Sequence, residues 1–177
     1  MLDRIIGVLR LDVATYEDIE ADESATTQAA IVVAIVAIVG GIVGAGIGSA
    51  LGANFVGSFL RQLIGAFVAW LVWAAVTYFV GTSLFNGKST MGQMLRVLGF
   101  AQAPGILAII PVCGAFVGWL WTLACSFIAI RQGLDLDNTK AFFTALVALI
   151  VVIIINVVIG LILGALGLGV SALQGIV

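Results

Sequence analysis

The sequence contains no histidine, and only 9% of its 177 residues are charged. A water-soluble domain carries about 25% charged residues. Too few charges are present to cover a water-facing surface, so a lone soluble globule is excluded. The missing histidine removes the commonest metal ligand and the side chain that titrates near neutral pH. There are two cysteines, Cys113 and Cys125. On one helix their spacing is about 18 Å of rise, too far for a disulfide between them. A secreted disulfide scaffold and a zinc site are therefore both excluded. Seven basic residues against nine acidic ones leave a net charge of −2, with no basic footprint for nucleic acid. Asp135 and Asp137 share a loop. They have no histidine, glycine-rich cradle or nucleophile near them in sequence, so nothing points to an enzyme or to a bound cofactor.

What is present is hydrophobic length. Hydrophobic residues make up 63% of the chain, and mean hydropathy is +1.28. Crossing a hydrocarbon core of about 30 Å takes about 20 apolar residues. Charge-free runs of that order recur, which predicts an all-α, polytopic transmembrane helix bundle. Five spans are expected, at about 29–50, 62–82, 91–110, 112–130 and 139–163. The third and fourth come from one uncharged run between Arg96 and Arg131. As a single helix that run would be about 51 Å long, so Pro111–Val112–Cys113–Gly114 is the natural break. Thr90 and Gln93 fit a capping box, which starts the third span at Met91 and leaves Arg96 to snorkel to the headgroups. Asn138 is the candidate cap of the fifth. The stretch from Gly164 to Val177 is too short and glycine-rich to cross back, and reads as a helix end with an apolar tail.

The cations order the topology. Arg4, Arg10, Lys88, Arg96, Arg131 and Lys140 fall on one side of a five-span thread, and Arg61 alone falls on the other. The positive-inside rule then places the N-terminus in the cytoplasm and the C-terminus outside. Residues 1–28 carry two bases and seven acids, unlike the positive start of a signal peptide. Leu2, Ile5, Ile6, Leu9, Val13 and Tyr16 share one helical face. This predicts a short amphipathic helix, lying on the cytoplasmic interface or docked on the bundle, followed by an acidic connector.

Four features are candidates for function. Gly40, Gly44, Gly48 and Gly52 recur at four-residue spacing, and Gly114 with Gly118 and Gly160 with Gly164 repeat the pattern. Small residues so spaced let two backbones approach closely in lipid, either inside the monomer or at a self-association face. Trp70, Trp73, Trp119 and Trp121 all fall near mid-membrane rather than at the span ends, as groove fillers or as a pocket for a lipid tail or pigment. Pro104 frees a carbonyl one turn earlier, which a tryptophan or Gln102 is expected to meet. Gln102 and Asn156 are the amides deep in the spans. No ionisable residue falls at the bilayer centre, which argues against ion pumps and proton relays.

Three stretches then resemble a known family. They are RIIGVLRLDVATYEDIEAD at residues 4–22, NGKSTMGQMLRVLGFAQAP at 86–104, and WLWTLACSFIAIRQGLDLDNTKA at 119–141. Together they resemble the Yip family of Ypt/Rab-interacting membrane proteins, in its prokaryotic form. The resemblance singles out Lys88, Arg96, Pro104, Arg131 and Lys140 as family-motif or headgroup-contacting residues. It implies a Yip-like domain over 29–177, with five spans and a cytoplasmic N-terminus. Eukaryotic members are linked to vesicle trafficking and Rab GTPases; their tyrosine- and proline-bearing motif before the first span is missing here, so that role does not carry over. The function expected is non-enzymatic: a membrane-organising protein or accessory subunit acting by helix–helix association, its partners lipids and other membrane subunits or itself. Lipid or small-solute transport, and a pigment- or cofactor-contacting subunit, are the alternatives.

Overall fold

In the computed structural model, residues 1–110 and 113–165 are described, without the side chains of 163–165. The expected break at Pro111–Val112, the surroundings of Gly164 and the apolar tail beyond Ala165 lie outside the described residues. Every regular element among the described residues is helical: α1 (Leu2–Leu9), α2 (Val13–Ala21), α3 (Ala25–Ala50), α4 (Phe55–Phe85), α5 (Met91–Phe100), a 3-10 segment (Ala103–Ile109), α6 (Cys113–Gly133) and α7 (Asn138–Ala165). Four of these, α3, α4, α6 and α7, are long and apolar enough to cross a membrane.

The helix boundaries follow local chemistry. The Asn54 side chain accepts from the Gly57 N–H at 2.8 Å and starts α4, which ends at Asn86 in the left-handed conformation (φ 56°). The Thr90–Gln93 capping box forms as the sequence predicts, with the two reciprocal bonds at 2.6 and 3.2 Å. The start of α7 differs from expectation. Asp137 accepts from the Lys140 N–H at 2.9 Å, while the Asn138 amide oxygen is taken by Arg131 at 3.0 Å. A carboxylate is the better partner for the positive end of the helix dipole.

The segment 91–110 is not the continuous helix expected. The α-helix stops at Phe100 after ten residues, about 15 Å. The backbone then tightens: Gln102 donates to the Gly99 carbonyl and Gly105 to that of Gln102, each three residues back. Pro104 has no N–H to continue an α-helical ladder. This broken element runs alongside α3, with Gly99 at Ala29 and Gly105 at Val36, and antiparallel to α6, with Val97 at Gly133, Pro104 at Gly118 and Leu107 at Gly114. Non-helical backbone at membrane depth is tolerated where protein buries it, and here α3 and α6 flank it.

Packing is concentrated at the end of the bundle that holds Arg96 and Arg131. Tyr16, Ile19, Ala29, Met94, Val97, Leu98, Phe100, Ala129, Ile130 and Leu134 form its buried core. Leu134 closes that end: its side chain lies against Gly81, and its carbonyl accepts from the Lys88 N–H at 2.9 Å. Toward the opposite end the helices present apolar surface outward, including Ile42, Ile47, Leu51, Val56, Leu60 and the length of α7 from Leu149 to Ile162. Among the α7 residues whose side chains are described, the buried ones are Ala141, Thr144 and Ala148, a stripe within its first three turns.

The N-terminal face also departs from expectation. Leu11 adopts φ 59°, and the turn there splits one amphipathic helix into two. Leu2 and Ile6 point away from the protein, 70% and 47% exposed, while Val8 and Tyr16 are fully buried. The expected single face is divided between two directions, and the α1–α2 hairpin docks on α5 and α6.

Candidate functional site

A dense polar cluster sits where α2 meets α5. The capped start of α5 aims Gln93 and Arg96 at the last turn of α2. Gln93 Nε2 donates to the Glu20 carboxylate at 2.8 Å. Arg96, 7% exposed, donates from Nη2 and Nε to the Glu20 carbonyl at 2.6 and 3.2 Å, and from Nη1 to Thr26 Oγ1 at 3.4 Å. Arg96 therefore does not snorkel to headgroups. The four terminal carbonyls of a helix lack intrahelical partners, and a guanidinium at that negative end satisfies both geometry and charge. Burial pushes the Glu20 carboxyl above the usual carboxylate range; the charge of Asp135 adds to the rise, and Arg96 opposes it.

Two further contacts fasten the hairpin. Tyr16, deep in the core, donates its hydroxyl to the Cys125 carbonyl at 3.1 Å, and its burial raises the phenol well above its ordinary range. Trp121 Nε1 donates to the Leu9 carbonyl, the last of α1, at 2.9 Å. At the open end of the hairpin, away from the Leu11 turn, Arg4 forms ion pairs with Asp18 at 2.7 Å and Asp22 at 2.8 Å. Hydrogen bonds from Ser24 and Arg4 hold the Asp22 carboxyl below its usual range. Glu20, Thr26 and Tyr16 escaped notice as a group because their partners lie 70 or more residues away. Tyr16 was visible in the sequence only as one apolar position.

The glycines separate into two sets. A Cβ on Gly118 would lie 2.8 Å from the Pro104 carbonyl oxygen, and one on Gly114 would collide with the Leu107 carbonyl. This pair packs within the monomer, against the broken segment. Around Gly40 and Gly44 the Cβ position meets nothing within 4 Å, and the same holds for Gly160 and for Gly52, a turn residue at φ 90°. Gly48 touches Ala53 in its own hairpin.

The tryptophans do not gather into one pocket. Trp70 is buried and donates to the Leu95 carbonyl at 3.1 Å, five residues before the carbonyl expected to need it. Trp73 is half-buried beside the same core. Trp119 faces outward and stacks on Phe116, ring centroids 6.4 Å apart. Trp121 serves α1. Gln102 is half-buried, and Asn156 is exposed and bonds to its own helix at the Val152 carbonyl, 2.8 Å. Among the motif residues, Pro104 is buried in the break, Lys88 and Lys140 are exposed, and Arg131 bonds Gln132 and Asn138. The Lys88 N–H bonds the Leu134 carbonyl, three residues after Arg131 in the chain.

Long apolar helices with outward aliphatic faces, polar bonding gathered at one end and a broken segment shielded by its neighbours define a multi-pass helical integral membrane protein. The Yip1 domain matches residues 6–172, nearly the whole chain, and the protein belongs to that family. No curated protein and no solved structure matches it.

Proposed function

We propose that the protein is a non-enzymatic, membrane-organising subunit that works by helix–helix association, with the α3 face at Gly40 and Gly44 as its contact surface. It joins other membrane subunits or a second copy. The observation that carries this reading is the open space at these two glycines, in a helix whose other glycine face, at Gly41, is occupied by Phe59. Small-residue faces allow the close backbone approach that drives association where no hydrophobic effect between helices operates. In this reading the chain threads the cytoplasmic membrane of a prokaryote five times, the broken segment making the third passage, with its N-terminus in the cytoplasm. The antiparallel course of that segment along α6 supports the count. So does the grouping of Lys88, Arg131 and Lys140 at one end.

The break itself favours no lipid-handling role, because Gly114 and Gly118 fill the space beside its carbonyls. Purification in mild detergent tests the proposal. Cross-linking from a cysteine placed at Gly40 should capture a second helix. A clean monomer with no co-purifying partner, and no cross-link from Gly40 in native membranes, would reject it.

A further inference from the structure

Helix α1 is apolar on two sides. Its inward side carries Val8, fully buried, and its last carbonyl is held by Trp121. Its outward side carries Met1, Leu2 and Ile6, all exposed. The anchor point fixes how deep the helix lies. Trp121 stands ten residues from Arg131 on α6, about 15 Å of helix rise. Around it on the same helix, Trp119, Leu120 and Leu123 are exposed apolar side chains, the surface that α6 offers to lipid. A helix tied to that level of a membrane-spanning helix is not in bulk water. Its own outward residues continue the lipid-facing surface.

The charges of the hairpin fit the same placement. Arg4, at the end of α1 away from that anchor, is paired with Asp18 and Asp22 at 2.7 and 2.8 Å and so presents no bare cation. Arg10 is exposed next to Leu9, at the end of α1 that Trp121 holds, and its long aliphatic stem allows the guanidinium to turn away from the acyl chains.

We propose that α1 is a lipid-contacting helix wedged between the bundle and the bilayer, docked through Val8 and Leu9 while Leu2 and Ile6 enter the leaflet on the Arg131 side. It differs from a free surface helix in being positioned by α6, so lipid contact is built into the fold rather than gained by a conformational change.

The test uses the full chain in phosphatidylcholine and phosphatidylglycerol vesicles. A bimane probe is placed at Leu2→Cys or Ile6→Cys in a Cys113→Ser background, with Leu123→Cys as the lipid-facing reference and Lys88→Cys, at an exposed loop position, as the water-facing one. Doxyl-labelled lipids should quench Leu2 and Ile6 about as strongly as Leu123, while iodide quenches them several-fold less than Lys88→Cys. Because Leu2 and Ile6 are exposed while Val8 and Tyr16 carry the buried contacts, the substitutions leave the hairpin docked. Quenching by iodide without quenching by lipid would overturn the proposal. Protection from both quenchers would also overturn it, because another protein surface would then cover α1.

Discussion

The guanidinium of Arg96 donates to the carbonyl oxygen of Glu20 from two nitrogens, at 2.6 and 3.2 Å, and so closes the last turn of α2 with a side chain from α5. The two residues are 76 positions apart in the chain. Arg96 is thus a structural link between the N-terminal hairpin and the centre of the bundle. Thr26 adds the first turn of α3 to the same point.

Replacing Arg96 should loosen this junction. A hydrogen bond to a charged group contributes about 1.5–3 kcal/mol, and a lysine cannot donate from two nitrogens in a fixed fork. Arg96→Lys and Arg96→Met should each lower the unfolding midpoint in mild detergent, with the loss in that range. Proteolysis should then cut first near Asp22–Ser24. An unchanged midpoint and an unchanged cleavage pattern would show that the hairpin is held elsewhere.

Glu20 makes the junction sensitive to pH. Its carboxyl is raised by burial first and then by Asp135. A carboxyl with a higher pKa folded than unfolded binds more protons in the native state, so stability falls as pH rises from the ordinary carboxylate value through the raised one. Glu20→Gln keeps an oxygen for the Gln93 bond and removes the charge. This variant should melt at or above the wild-type temperature at neutral pH, and its stability should vary less from acid to neutral pH. A steeper dependence in the variant would contradict this account.

How much of this was legible in the sequence depended on whether the deciding contact was local. The Thr90–Gln93 capping box involves neighbours and formed as read. The helix over 91–110 failed because its hydropathy is that of a span, whereas Pro104 and the glycines that meet α3 and α6 determine its shape. The split at Leu11 had no signal, since leucine rarely adopts positive φ. Arg96 was placed among headgroups because nothing near it in sequence marks Glu20 as its partner. The glycine repeats look alike in the sequence and differ only in what stands opposite them.

That difference predicts opposite outcomes for similar substitutions. At Gly118 an alanine Cβ would meet the Pro104 carbonyl at 2.8 Å, and overpacking of this kind costs about 1–3 kcal/mol. Gly118→Ala should therefore lower the unfolding midpoint. Gly40→Leu meets open space in the monomer. It should leave the midpoint unchanged while removing the partner subunit or second copy from the particle purified in mild detergent. If Gly40→Leu instead destabilises the monomer and leaves association intact, the stripe is an internal packing surface.

The threading can be read from the two native cysteines. Cys113 is exposed at the first residue of α6, and Cys125 is buried beside Tyr16. Gly133, at the other end of α6, packs on Val97 close to the Lys88–Leu134 bond. From Cys113 to Gly133 the helix rises about 30 Å, the thickness of the hydrocarbon core. With the N-terminus in the cytoplasm, Cys113 faces the exterior boundary while Lys88 and Lys140 face inward. A membrane-impermeant maleimide added to intact cells should modify Cys113 and spare Cys125. An impermeant amine reagent should reach Lys88 and Lys140 only after the membrane is opened. Modification of the lysines in intact cells, with Cys113 protected, would invert the orientation. If Cys113 stays protected from both faces until detergent is added, α6 starts inside the hydrocarbon. The broken segment and α6 would then form a re-entrant pair rather than two crossings.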